Sequence, residues 1–376
     1  TVLFAALWVA ACQPTVITGG GPSIDPTRPV PVALLVPAES GQAGDQVLAQ
    51  SLENAARLAI ADLDGVQIDL RVYSTAGDPT RAAAAATRAV NEGARIILGP
   101  VYAAAASAAG NAVSGRGVNV LAFSNNTDIA GGNVFILGNT FENRADRLVS
   151  YAVAQGRGSI FIAHGSDAAE LKGRDAISAA VARHGATLAG TASFEMTQEG
   201  VVNAVPGIAD QVRESGANAL FFTSGTAGAL PILSQLLPEN GIDREAVQFI
   251  GLQRWDIPSS ALELPGLQGG WFALPDPALT GQFRRRYEAA YGDAPHPIGG
   301  LAYDGIAAIG ALVSAGQSDA LAASGLTQGS GFLGVNGVFR LRRDGTNERG
   351  LAVAQIRDRQ VVVIDPAPRS FGGAGF

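Results

Sequence analysis

The sequence predicts an α/β fold of two lobes, with parallel sheets flanked by helices, three crossovers between the lobes and a C-terminal antiparallel meander. Three observations carry this. Short apolar runs alternate with amphipathic stretches for more than 250 residues from position 31 onward. Most runs place apolar residues at successive positions, as a strand buried on both faces of a parallel sheet requires. After Gly331 the pattern changes to short strands separated by tight turns.

The first run, Val32–Val36, precedes a helix over Asp45–Leu63, where Leu48, Leu52, Ala55, Ala59 and Leu63 share one stripe. Ile68–Tyr73 leads to Asp78-Pro79, a good N-cap followed by a proline suited to a first helical turn, and to a helix over Pro79–Glu92. The alternation continues with runs at Arg95–Leu98, Asn119–Phe123, Val134–Leu137, Ser159–Ala163, Ala219–Thr223, Val247–Gly251 and Gly270–Leu274. Helices are predicted over Ala103–Val113, Glu142–Gln155, Leu171–His184, Val205–Glu214, Ala227–Leu237, Pro277–Tyr291 and Gly299–Ser314. Asn336–Leu341, Leu351–Arg357 and Gln360–Ile364, joined by turns at Arg343-Asp344-Gly345 and Asp358-Arg359, form the meander. Lobe one is expected to comprise residues 31–140 and 275–330, and lobe two residues 141–274 and 331–366, with 367–376 a flexible tail.

The front end reads differently. Val2 to Ala11 is an apolar run too short to span a bilayer and of the length of a signal-peptide core, ending at the only cysteine, Cys12. No basic segment or Met precedes it, so residues 1–12 read as the truncated end of a signal segment. Val9-Ala10-Ala11-Cys12 resembles the lipobox of bacterial lipoproteins, which implies acylation of Cys12 and an anchored protein. Gln13 in place of Asp leans towards the outer membrane in that resemblance. Residues 13–30, rich in Gly, Pro, Ser and Thr, form a flexible tether.

Composition bounds the chemistry. A net charge of −7 disfavours a nucleic-acid surface, and Lys172 is the only lysine, which nearly excludes a lysine-dependent phosphate loop. His164, His184 and His296 stand at no metal-ligand spacing, so no metal and no cofactor are expected. There is no Gly-x-Ser-x-Gly elbow. The one Gly-x-Gly-x-x-Gly match, Gly329 to Gly334, precedes a hairpin and lacks the strand–helix context of a dinucleotide site. A non-enzymatic binding protein is expected.

Ligands of parallel α/β sheets bind beyond the carboxyl ends of the strands. The residues following the runs are therefore the cleft candidates: Ser40, Tyr102, Ser124, Asn125, Asn126, Ser166, Asp167, Thr223, Ser224, Gln253 and Arg254. Their hydroxyls, amides and one guanidinium suit a small polar solute, although the hydroxyl, amide and carboxylate side chains among them equally serve as caps of the following helices.

Pro31–Pro37, the stretch Leu70–Pro79, Asn91–Val101 (NEGARIILGPV), Val118–Asn125, Ala302-Tyr303-Asp304-Gly305 and the closing Phe332–Ile364 segment together resemble the type I periplasmic-binding fold of leucine/isoleucine/valine receptors. The resemblance implies a ligand cleft between the lobes. With the lipobox, the chain looks most like the penicillin-binding protein activator lipoproteins of the LppC/LpoA type. That implies an envelope lipoprotein, touching the membrane through its lipid anchor only, that regulates peptidoglycan synthesis by contact with a bifunctional penicillin-binding protein. The standard amino-acid clamp of the receptors is not visible at Tyr102–Ala106 or near Asp167–Gly173. The alternative is a solute receptor of an ABC transporter that holds an amino acid or another small polar solute.

Overall fold

The structure, a computed structural model, describes residues 22–371. Cys12 with its apolar run, the first part of the tether and residues 372–376 lie outside the described residues. The chain opens with β1 (Val30–Val36), α1 (Ala43–Ala61), β2 (Ile68–Ser74), α2 (Pro79–Asn91), β3 (Ile96–Leu98), α3 (Ala103–Val113), β4 (Asn119–Ala122) and β5 (Val134–Ile136). The strands form a parallel sheet in the order β2-β1-β3-β4-β5. In β1 the side chains alternate between two apolar layers. Val32, Leu34 and Val36 join Leu52 and Ala55 of α1, while Ala33 and Leu35 join the alanines of α2 and α3. Both faces are covered, so both sets must be apolar, and each fully buried Leu or Ile contributes about 1.5–3 kcal/mol. Asp78 caps α2 by accepting the Arg81 N–H at 2.8 Å.

A crossover at residues 137–140 starts a second unit with α4 (Phe141–Ala154), β6 (Ser159–Gly165), α5 (Ala168–Arg183), β7 (Thr187–Phe194), α6 (Gln198–Ser215), β8 (Ala219–Phe222), α7 (Leu230–Glu239), β9 (Gln248–Gly251) and β10 (Trp271–Leu274). β7 is absent from the predicted runs because it is an edge strand, with Thr187, Leu188, Thr191 and Ser193 exposed. α6 begins at Gln198, before the predicted start at Val205, because Thr197 caps it and Pro206 removes one ladder bond without ending it.

The chain then returns to the first unit with α8 (Pro277–Tyr291), α9 (Gly300–Ser314) and α10 (Ala323–Leu326), whose Phe283, Ile306, Ile309 and Leu326 join the core around Leu34. Here the expectation for residues 331–366 is corrected. β11 (Phe332–Gly334), β12 (Gly337–Leu341) and β13 (Asn347–Arg349) form their own antiparallel sheet, and Phe332, Phe339 and Leu341 are buried in the first unit's core. Only β14 (Ala352–Arg357) and β15 (Gln360–Asp365) extend the second sheet, β14 pairing antiparallel with β10. The meander is thus split, and the third crossover falls at Gly350-Leu351. Phe332 of β11 and Phe339 and Leu341 of β12 are buried with the apolar side chains of α9, a partner that sequence adjacency does not reveal.

The first and third crossovers meet in a buried polar cluster. Arg349 and Asp304, both almost fully enclosed, pair at 2.9 Å. Arg349 also donates to the Leu137 carbonyl, and its own N–H donates to Asn143 Oδ1. Asn347 donates to the Ile136 and Gly138 carbonyls at 2.9 and 2.8 Å. Asn336 donates to Asp304 through its backbone and side-chain amides. These bonds fix where α4 leaves the first unit.

Candidate functional site

A cavity of about 360 Å³ opens at the carboxyl ends of β3, β4 and β5. Its first-unit wall carries Tyr102, Ser124, Asn125 and Asn126, together with Phe123, Asn139, Ile298 and Leu301, and Arg144 of α4 reaches it from the second unit. The size suits a small molecule. The turn from β3 into α3 is set by Gly99, whose φ of +86° favours glycine and where a Cβ would lie 2.3 Å from the Leu35 carbonyl oxygen. That turn carries Tyr102 to the rim, where its hydroxyl donates to the buried carboxylate of Asp45. The bond to Asp45, helped by burial, pushes the Tyr102 phenol up to about 12, so it remains protonated at neutral pH.

Ser124 is buried, and its Oγ accepts the Asn126 N–H at 3.1 Å. Its own proton has no acceptor among the described residues. Asn125 is exposed to the cavity. Asn126 caps the short turn at Thr127–Ile129 by accepting the Asp128 N–H, and it also accepts from Lys172 of α5 at 3.1 Å. Asp128 pairs with the same lysine, so the sole lysine bridges the two units beside the cleft.

The remaining predicted residues do not line this cavity. Ser40 accepts the Gln42 N–H in its own loop. Ser166 is exposed, and Asp167 caps α5 by accepting the Glu170 N–H at 2.9 Å. Thr223 is buried and donates to Glu170, which also accepts the Gly165 N–H at 3.1 Å. Ser224 is buried beside Met196, and Gln253 donates to the Thr223 carbonyl. Arg254 pairs with Asp256 and lines an adjoining cavity of about 450 Å³ with His296 and Pro297, which shares Pro297 and Asn336 with the first. The Thr223 proton is thus given to Glu170, a partner that the sequence alone does not assign, and one Asp167 oxygen caps α5, the alternative the sequence left open.

Arg144 was not among the sequence candidates. It makes no hydrogen bond or ion pair among the described residues, although its side chain is partly buried. Desolvation, then repulsion from Arg254, pulls its pKa down to about 10, so it stays charged and uncompensated. The Asn139 side-chain oxygen, also on this cavity, is buried without a donor. The available sequence signal was a cation in the first turn of a helix, where the macrodipole disfavours it. The contrast is with another groove of about 450 Å³ between α1, α8 and α9. There Asp62 is satisfied by Arg286 and by the Tyr303 hydroxyl at 2.5 Å.

Among the described residues no cluster of His, Cys, Asp and Glu fits a metal ion, and no helix is long and apolar enough to cross a membrane. The family described as periplasmic binding protein matches residues 29–360. No curated protein matches the chain. Among solved structures, a putative branched-chain amino acid ABC transporter protein from Rhodospirillum rubrum is 17% identical, with a TM-score of 0.76 over 90% of this chain and 100% of that one. An ABC transporter substrate-binding protein from Desulfitobacterium hafniense in complex with Leu is 18% identical, with a TM-score of 0.66 over 90% and 100%. A solute-binding protein of an ABC transporter from Rhodopseudomonas palustris, in complex with 3,4-dihydroxybenzoic acid, is 17% identical, with a TM-score of 0.61 over 91% and 97%. At these identities the likeness carries the fold.

Proposed function

The chain belongs to the periplasmic binding protein family, and from that premise we propose that it is a solute receptor delivering a small polar molecule to an ABC transporter. The observation that carries this is the cavity walled by Tyr102, Ser124 and Asn125 on one unit and by Arg144 on the other. A ligand touching both walls favours a closed arrangement of the two units, the signal such receptors give. The neighbours bound to Leu and to 3,4-dihydroxybenzoate support a small-molecule role for a cleft of this fold. A thermal-shift panel of amino acids, organic acids and small sugars tests it. A cleft ligand at 100 times its Kd adds about 2.7 kcal/mol of stability. Silence across the panel overturns the receptor reading.

A second reading is an envelope lipoprotein, anchored by Cys12 in the outer membrane, that stimulates a bifunctional penicillin-binding protein. The Val9-Ala10-Ala11-Cys12 lipobox favours it. So does Glu170, whose carboxylate is buried and engaged by Thr223 and the Gly165 N–H, which leaves it unsuited to clamp an amino-acid ammonium. Mass spectrometry of the mature N-terminus tests the lipid. Pull-down with a bifunctional penicillin-binding protein, combined with a glycan-strand synthesis assay, tests the contact. A free Cys12 thiol, or no binding and no stimulation, counts against this reading.

A further inference from the structure

Resting on the receptor reading, we propose that Arg144 anchors a net-anionic solute, one with a carboxylate or comparable head and no compensating ammonium. Three observations converge on it. The Arg144 guanidinium faces the cavity with no partner among the described residues, while Arg254 beyond it is already paired with Asp256. A partly desolvated, unpaired guanidinium is left under-solvated unless an anion completes it, and its planar donor fork matches a carboxylate. On the same cavity, the buried Ser124 hydroxyl has a proton to donate to that anion, and the Asn139 side-chain oxygen lies buried in the wall without a donor.

The excluded class follows from what the wall lacks. No Asp or Glu lines the cavity among the described residues. The nearby carboxylates are engaged, Asp45 by the Tyr102 hydroxyl, Glu170 by Thr223 and Gly165, and Asp256 by Arg254. An amino-acid zwitterion would therefore leave its ammonium without a counter-charge. Phe123, Val101, Ile298 and Leu301 offer an apolar surface for the rest of the solute. The fitting class is a hydroxy acid or related organic acid with an apolar body.

Matched triples separate the alternatives on the full chain by calorimetry and thermal shift: 2-hydroxyisocaproate, leucine and 2-hydroxyisocaproamide, and phenyllactate, phenylalanine and phenyllactamide, within a wider panel of organic acids and their amides. The expected result is binding of anions only, with Arg144→Gln weakening it about 10- to 100-fold and Arg144→Lys less. Equal binding of the amino acid or the amide overturns the anion assignment while the receptor reading stands. Anion binding undiminished in both Arg144 variants overturns the role of Arg144 alone. No binding by any panel member overturns the receptor reading and this inference together.

Discussion

Asp304→Asn is the sharpest test of how the two units are joined. It keeps the side-chain shape and removes the charge that faces Arg349, a pair whose side chains are 0% and 1% exposed. Arg349 keeps its bonds to the Leu137 carbonyl and loses its only anionic partner among the described residues. Stranding one member of a buried pair costs about 3–5 kcal/mol. The described chain, residues 22–371, has 350 residues. At about 2.1 cal/mol/K per residue its unfolding entropy is about 0.7 kcal/mol/K, so the midpoint should fall by about 4–7 °C. Arg349→Met should cost a similar amount. The double variant strands no charge and should cost at least about 2 kcal/mol less than the sum of the two. The assay is calorimetry together with urea unfolding of the four proteins. Strict additivity within about 0.5 kcal/mol, or a shift below about 1 °C in either single variant, refutes the argument that this ion pair ties the crossovers together.

Three further outcomes are expected. Arg144→Gln, by removing an uncompensated charge, should raise the ligand-free midpoint by roughly 1–2 °C, from about 1 kcal/mol at the same entropy; a lower midpoint in calorimetry would mean the arginine serves stability instead. Gly270→Ala places a Cβ 1.9 Å from the ring of the fully buried Trp255, so it should destabilise the second unit by about 1–3 kcal/mol or more; an unchanged near-UV spectrum and midpoint contradicts this. Burial holds the His296 pKa below its ordinary 6.5, so the unfolded chain binds the proton more readily, and stability from this group is present above about pH 6.5 and lost as pH falls through that window. Relative to His296→Gln, the parent should lose stability between pH 7.5 and pH 5, and a constant difference in unfolding midpoint would refute it.

Much of the fold was written in local pattern. Continuous apolar runs such as Val32–Val36 and Ala219–Phe222 require burial on both faces, and that requirement alone implies parallel strands under two helical layers. Asp78-Pro79 fixed the start of α2 by capping chemistry within four residues. Four of the candidates, Tyr102, Ser124, Asn125 and Asn126, line one cavity because strand ends in a parallel sheet converge on one edge.

Tertiary structure decided the rest. Whether Thr223 faces a ligand or Glu170 depends on a carboxylate 53 residues away in the chain. The Phe332–Arg349 strands lie with the first unit because their apolar face finds the first unit's core, whereas their spacing fits either unit. Arg144 is one of 25 arginines in the sequence, and only its place on the cavity, with no counter-charge paired to it among the described residues, sets it apart. Local periodicity records which face of an element is buried. It does not record which distant group shares that burial, and the pairing of charges across the cleft is a property of the assembled chain.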